Sequence, residues 1–152
     1  MSPSKIRLAQ IADQPRIEAI VEAAYGPYIA RMGRRPGPML DDYAARIAAG
    51  QTHVLESDGA LVGILVLEPA EDHLLLDNIA VHPAAQGGGH GKALMAFAED
   101  EARRQGYDRI RLYTHVLMAE NVAIYERLDY RVTERKTVAG YDRIYMEKSV
   151  GA

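Results

Sequence analysis

Apolar residues in this chain recur at two periods, and the changes between them divide it into elements. Ile17, Ile20, Val21 and Ala24 fall on one side of a 3.6-residue repeat. Asp13 can cap a helix there and Pro15 suits its first turn, so a helix is predicted from that point towards Met32. Gly26-Pro27 is where it would kink or end. Upstream, Lys5 to Gln10 is a short β-prone piece. Gly33 to Pro38 (GRRPGP) fits no regular structure, and a second short helix is predicted from Asp41 to Gly50. Thr52 to Glu56 and Ala60 to Leu67 flank Ser57-Asp58-Gly59, a hairpin signal. Leu74 to Val81 (LLLDNIAV) reads as a third strand, reached through a turn at Pro69 to Asp72. A long helix follows from about Gly89 to Gln105, ended by Gly106. Arg109 to His115 alternates charged and apolar residues as a strand does. Asn121 to Leu128 is predicted as a short helix, and Tyr130 to Lys136 with Tyr141 to Lys148 as a closing hairpin that turns at Ala139-Gly140. With no repeat, linker or low-complexity stretch, residues 1–152 are expected to form one α/β domain around a mixed sheet.

Composition narrows the functions this fold could serve. The chain has 152 residues, 48% of them hydrophobic, which suffices for one sizeable core. A net charge of −3 gives no bulk field for nucleic acid, so none is expected as a partner. There is no cysteine, which excludes disulfides, thiolate metal sites and a cysteine nucleophile. His53, His73, His82, His90 and His115 are scattered without ligand spacing, and no metal is implied. The start, MSPSKIRLAQ, lacks the apolar core of a signal peptide, and the longest apolar run (Leu61 to Leu67) is too short for a bilayer. A soluble cytoplasmic protein with no membrane partner is the expectation.

The chemistry concentrates in Val81 to Lys92, VHPAAQGGGHGK. Gly87, Gly88, Gly89 and Gly91 remove side chains where a helix N-terminus leaves its amides unpaired, a natural cradle for phosphate or diphosphate. Two familiar loops fail on spacing. The Walker pattern needs a glycine where Gln86 stands and Ser or Thr where Ala93 stands. The dinucleotide fingerprint needs a glycine at 92, which is lysine. What fits is Gln-x-x-Gly-x-Gly on Gln86, Gly89 and Gly91, preceded by Val81-x-Pro83. About thirty residues on comes Asn121-x-x-x-Tyr125, and then Leu128-Asp129-Tyr130. With these motifs the chain resembles the GNAT N-acetyltransferase superfamily over nearly its whole length. Thr114-His115, Met118 and Glu120-Asn121, a THxxMxEN-like stretch, are similar to small bacterial-type members. One departure is Asp129, where the family usually has a glycine in a left-handed turn; aspartate tolerates that turn at a cost of about 1 kcal/mol.

The resemblance implies a GNAT fold of the α/β (α+β) type: a central mixed, mostly antiparallel sheet of about seven strands, flanked by four helices, with one splayed strand pair. It implies acetyl-CoA as cosubstrate. The diphosphate would lie on the amides of Gln86, Gly87, Gly88, Gly89, His90, Gly91, Lys92 and Ala93, and the pantetheine along Ile79, Ala80 and Val81, with Arg109 to His115 as the facing wall. Asn121 would touch pantetheine and Tyr125 would serve as the general acid at the thioester sulfur. The residues themselves allow plainer roles, since Asn121 suits a helix start and Tyr125 can pack with Ile124 and Leu128. Asp77 matches the carboxylate that family members use as general base. A carboxylate in so apolar a strand is costly unless paired, so it is either that base or the partner of a neighbouring arginine. Asn78 points to the opposite face as a structural hydrogen bonder, and Glu68 and His115 are the fallback bases.

The acceptor side is less defined. Tyr25, Tyr28 and Met32 follow one helical stripe and Tyr43 begins the second helix. Tyr141, Arg143 and Tyr145 share one face of the last strand. With His115 they either line an aromatic pocket with a cationic guide, suited to a small acceptor bearing a carboxylate, or belong to core and dimer surface. Arg31, Arg34 and Arg35 are either an anion guide or a solvated cluster. The expected activity is acetyl-CoA-dependent transfer of an acetyl group directly to a primary amine of a small molecule or peptide, because no cysteine can carry the group. The alternative is a noncatalytic acyl-CoA-binding sensor or interaction module of the same fold. The aromatic closing hairpin and the family's habits point to a homodimer.

Overall fold

The computed structural model describes residues 4–151, which form five α-helices and a seven-stranded sheet ordered β1-β2-β3-β4-β5-β7-β6. In chain order the elements are β1 (Ser4–Leu8), α1 (Gln14–Tyr25), α2 (Tyr28–Met32), α3 (Tyr43–Ala48), β2 (Thr52–Ser57), β3 (Ala60–Pro69) and β4 (Leu74–Val81). There follow α4 (His90–Arg104), β5 (Arg109–His115), α5 (Ala119–Arg127), β6 (Arg131–Val138) and β7 (Tyr141–Ser149). The chain divides into two compact units, Met1–Leu67 with Asn78–Ala98 and Glu68–Asp77 with Glu99–Ala152. β4 and α4 thus each contribute to both.

In the first unit β1, β2 and β3 form an antiparallel meander, with a bulge between Leu55 and Glu56. The predicted apolar stripe of α1 is its buried side: Ile17 and Ile20 are wholly buried and Val21 nearly so, packed with Tyr43, Val54, Ile64, Val66 and Ala80. Against the sheet, α4 comes so near that a Cβ on Gly63 would lie 3.1 Å from Leu94 Cδ1, and His53 meets the Phe97 ring at 4.9 Å.

Local chemistry shifts several boundaries. The first helix ends at Tyr25, and α2 starts afresh after Gly26-Pro27, the proline having no N–H to continue the ladder. Asp13 does not cap α1. Its carboxylate accepts from the Gln10 N–H at 2.8 Å, closing a preceding 3₁₀ turn (Ile11–Asp13), and pairs with Arg7 at 2.9 Å. A second such turn, Gly37–Leu40, occupies part of the segment expected to be irregular. α3 is capped by Asp42, whose Oδ1 accepts from Ala45 N–H, while Asp41 pairs with Arg46 instead.

In the second unit, Leu74–Leu76 of β4 pair in parallel with Ile110–Leu112 of β5. β5 pairs antiparallel with β7, and β7 with β6. Leu74, Leu76, Ile110, Leu112 and Met146 are buried. The β6–β7 hairpin turns at Ala139 (φ 52°) and Gly140 (φ 82°), both left-handed. Such a turn favours Asn-Gly, and an alanine in it is strained.

Ala139→Asn should raise unfolding free energy by about 1 kcal/mol, read from the urea midpoint. The Arg7 hydrogen bonds hold the Asp13 carboxyl below its ordinary range. A depressed folded value means stability present above the unfolded pKa and lost as pH falls through the folded one. Asp13→Asn should therefore lower stability at neutral pH and flatten the decline below about pH 4.

Candidate functional site

Between β4 and α4 the chain makes a loop held by its own side chains. His82 caps a 3₁₀ turn, Pro83–Ala85, its Nδ1 accepting from Ala84 N–H at 3.1 Å. The Gln86 amide folds back and donates to the Val81 carbonyl at 3.2 Å. Gly87 (φ 89°) and Gly89 (φ 81°) then take left-handed conformations that a side chain would oppose. A Cβ on Gly88 would meet His90 Nε2 at 3.2 Å, so the His90 ring lies beside this bend. α4 begins at His90. Its geometry leaves the amides of His90, Gly91 and Lys92 without intrahelical acceptors, whereas Ala93 N–H already donates to Gly89 O at 3.0 Å. Gln86 N–H is spent likewise, on Pro83 O. The amides left open therefore run from Gly87 to Lys92, a shorter set than Gln86 to Ala93. No acidic side chain stands in that stretch.

The strand leading into this loop is clamped from one side. Asn78 is 3% exposed; its Oδ1 accepts from Tyr25 Oη at 2.6 Å and its Nδ2 donates to Tyr43 Oη at 2.9 Å. Tyr43, buried in the core, donates its own hydroxyl to Pro38 O at 2.6 Å. The Tyr25 hydroxyl also lies 3.0 Å from the Ile79 carbonyl. Tyr25 and Tyr43 thus tie α1, the 37–40 turn and α3 to β4 through one amide side chain. The carbonyls of Ile79 and Val81 carry side-chain bonds but keep a second lone pair each. Tyr28, half-buried at the start of α2, lies under the Arg31 guanidinium at 5.0 Å.

In the second unit, Asp77 is half-buried and its Oδ1 accepts from Tyr113 Oη at 2.8 Å. Burial, and then the Asp77 charge, push the Tyr113 phenol far above its ordinary value, so it stays protonated and can only donate to the carboxylate. Asp77 is thereby engaged by a tyrosine, and Arg143 sits on the ring of Tyr113 at 3.9 Å. Tyr113 was not singled out from the sequence. The signal was the strand alternation that sets it on the His115 face, one residue beyond the Leu76–Leu112 pairing.

Asn121 lies in the first turn of α5, since that helix begins at Ala119, and its Nδ2 reaches Thr114 Oγ1 at 3.5 Å and Met118 Sδ at 3.7 Å. Tyr125, one turn on, is half-buried with its ring 6.1 Å from that of Tyr130. Tyr130 is anchored through Glu99, which accepts from its hydroxyl at 3.2 Å and from Lys148 Nζ at 2.9 Å. Burial, then the Glu99 charge, raise the Tyr130 phenol well above its usual value. The helix end behind Tyr125 closes as a glycine would close it: Asp129 takes φ 73°, and the Tyr125 carbonyl accepts from both Leu128 and Tyr130 N–H. His115 Nδ1 accepts from Leu117 N–H, and its ring meets Tyr141 edge-on at 6.2 Å. Glu68 stands near the end of β3.

Comparison with known proteins bears on this arrangement. The sequence model described as the acetyltransferase (GNAT) family matches residues 17–130. The chain is 31% identical over 138 residues to the uncharacterized N-acetyltransferase YjgM of Escherichia coli K12, covering 85% of this chain and 82% of that protein. It is also 31% identical over 83 residues to the probable N-acetyltransferase 14 of Xenopus tropicalis, over 53% of this chain; that match spans 40% of the frog protein's length. Among solved structures, the PaiA N-acetyltransferase of Thermoplasma acidophilum in complex with coenzyme A is similar in fold, with TM-score 0.81 at 18% identity over 97% of this chain and 99% of that one.

Asn78 is the side chain on which the clamp over β4 turns. Replacing it by Leu removes the donor to the buried Tyr43 hydroxyl and the acceptor of the Tyr25 hydroxyl, and should cost about 2–3 kcal/mol in denaturant unfolding.

Proposed function

The chain belongs to the GNAT acetyltransferase family, and from that premise we propose that it moves the acetyl group of acetyl-CoA directly to a primary amine of a small molecule or peptide. The observation that carries this reading is the glycine loop at the start of α4, with left-handed Gly87 and Gly89 and an unspent first helical turn. Residues 87–92 fit a diphosphate: they carry no acid, they offer successive amides, and the helix dipole and Lys92 add positive charge. Ile79 to Val81 would pair with the pantetheine arm, and Asn121 would bind its amide.

When bound, the coenzyme supplies an activated acetyl thioester. The acceptor arrives as an ammonium with no lone pair, at a pKa near 10. On this reading Asp77 is the base, taking that proton directly or through one water, and the hydrogen bond from Tyr113 supports the role by fixing the carboxylate's orientation. Nitrogen attack on the acetyl carbon then breaks the C–S bond, and the second nitrogen proton leaves with the departing thiolate, giving the amide and the free thiol. Tyr125 is the donor towards that sulfur. A thiol near pKa 8.5 is more acidic than a phenol near 10, so full transfer from an unperturbed phenol is uphill by about 2 kcal/mol. Tyr125 therefore acts chiefly as a positioned hydrogen-bond donor. Tyr25, Tyr28, His115 and Tyr141 are the proposed acceptor contacts, with Tyr43 acting through Asn78.

Calorimetric titration with acetyl-CoA should give saturable micromolar binding, and its absence would reject the assignment. Tyr125→Phe should lower kcat about a hundredfold with coenzyme affinity kept. Asp77→Asn should remove the acidic limb of the kcat/KM profile. Tight coenzyme binding with no thiol release across a broad amine panel would instead assign the noncatalytic sensor.

A further inference from the structure

The face of β5 and β7 beside Asp77 carries a charge that the fold leaves unbalanced. Tyr113 and Tyr145 stand directly opposite each other, ring centroids 5.6 Å apart. Three cations surround the pair. Arg111 lies over Tyr145 at 4.6 Å and is paired with Glu134. Lys136 lies over the same ring at 5.2 Å and reaches Glu134 at 3.8 Å. Arg143 lies over Tyr113 at 3.9 Å and donates from Nη1 to Tyr145 Oη at 3.1 Å. Among the described residues no carboxylate pairs with it, so of five N–H donors only one has a hydrogen-bond acceptor.

Its cross-strand neighbours make this more costly. Arg143 is directly opposite His115 on β5 and Lys136 on β6. Basic residues facing one another across a ladder destabilise a sheet. A sequence selected for stability alone would put an acid or a neutral residue at 143. Instead an arginine is held there by the Tyr113 ring and the Tyr145 hydroxyl, its side-chain freedom reduced and most of its fork still available. Local conflict of this kind marks a place held for a ligand.

What the ligand must be follows from Tyr113. Its hydroxyl end holds Asp77, the proposed acceptor of the ammonium proton, and its ring face holds Arg143. One phenol thus separates a carboxylate from a guanidinium, which leaves room between them for a molecule that carries an ammonium and a carboxylate a few bonds apart and meets each with one contact. We propose that Arg143 binds the carboxylate of the acceptor, so that the substrate class is a free amino acid, in preference to a polyamine, an aminoglycoside or a peptide N-terminus. This rests on the acetyltransferase reading with Asp77 as base. Bidentate pairing with the planar fork sets the register of the amine at Asp77.

The test uses the full chain with acetyl-CoA, a panel of amino acids each beside its own carboxamide, and thiol release as the signal. At least one amino acid should exceed its amide in kcat/KM by about thirtyfold or more, the difference lying mostly in KM. Arg143→Gln should shrink that ratio below about threefold while coenzyme affinity, read by calorimetry, is kept; Arg143→Lys should retain an intermediate preference. Titration of the preferred amino acid into the coenzyme A-saturated protein should show about tenfold weaker binding in Arg143→Gln. Equal turnover of acid and amide overturns the proposal, as does an Arg143→Gln loss shared equally by both. Weakened coenzyme affinity in that variant would mean that Arg143 serves the coenzyme, and overturns it too. Turnover of polyamines or peptides without acid preference defeats this inference alone. Bound coenzyme with no turnover of any amine defeats the acetyltransferase reading and this inference with it.

Discussion

A helix begins with amides that its own ladder cannot satisfy, and much of what this chain can do depends on where α4 leaves them. The loop before it is built to keep those amides open. Gln86 turns back onto Val81, His82 caps its own short turn, and Gly87 and Gly89 occupy conformations that would strain any side chain. The same amides could be quenched by an aspartate or serine cap, which is the ordinary solution at a helix start. Left open, they suit an anion, and on the proposed reading the occupant is the diphosphate of the coenzyme.

Much of the fold was legible because its elements are strongly patterned. β4 and β5 fall at the bounds read from the sequence, and the remaining strands and long helices differ by one or a few residues. The sequence suggested four helices and the structure has five, because Gly26-Pro27 ends one helix and starts another. Errors sit at caps. Three aspartates, Asp13, Asp41 and Asp42, could each cap a helix, and only long-range partners decide among them: Arg7 takes Asp13, Arg46 takes Asp41, and Asp42 is left to cap α3. Pattern reading has no access to such competition.

The candidate site was legible in its main-chain part and less so in its side-chain supports. A run of glycines announces a backbone site in the sequence itself. The partners of Asp77 and Asn78 do not announce themselves, because they come from residues far along the chain that strand register and helix packing bring to β4. Tyr113 and Asn78 share a role: each satisfies a polar group that could not otherwise be taken out of water, and so fixes a neighbouring segment in one position. Asp129 is a smaller case. Its left-handed φ shows that the turn behind Tyr125 survives the loss of the glycine usual in the family.

The loop's role as a diphosphate cradle is tested most directly by following backbone amide resonances during titration. With acetyl-CoA at saturation, the amides of Gly87 to Lys92 should show the largest shifts in the spectrum, and S-acetylpantetheine, which lacks the diphosphate, should leave them nearly unmoved. Saturable coenzyme binding that leaves those amides in place, with the shifts gathered elsewhere in the chain, would contradict the account.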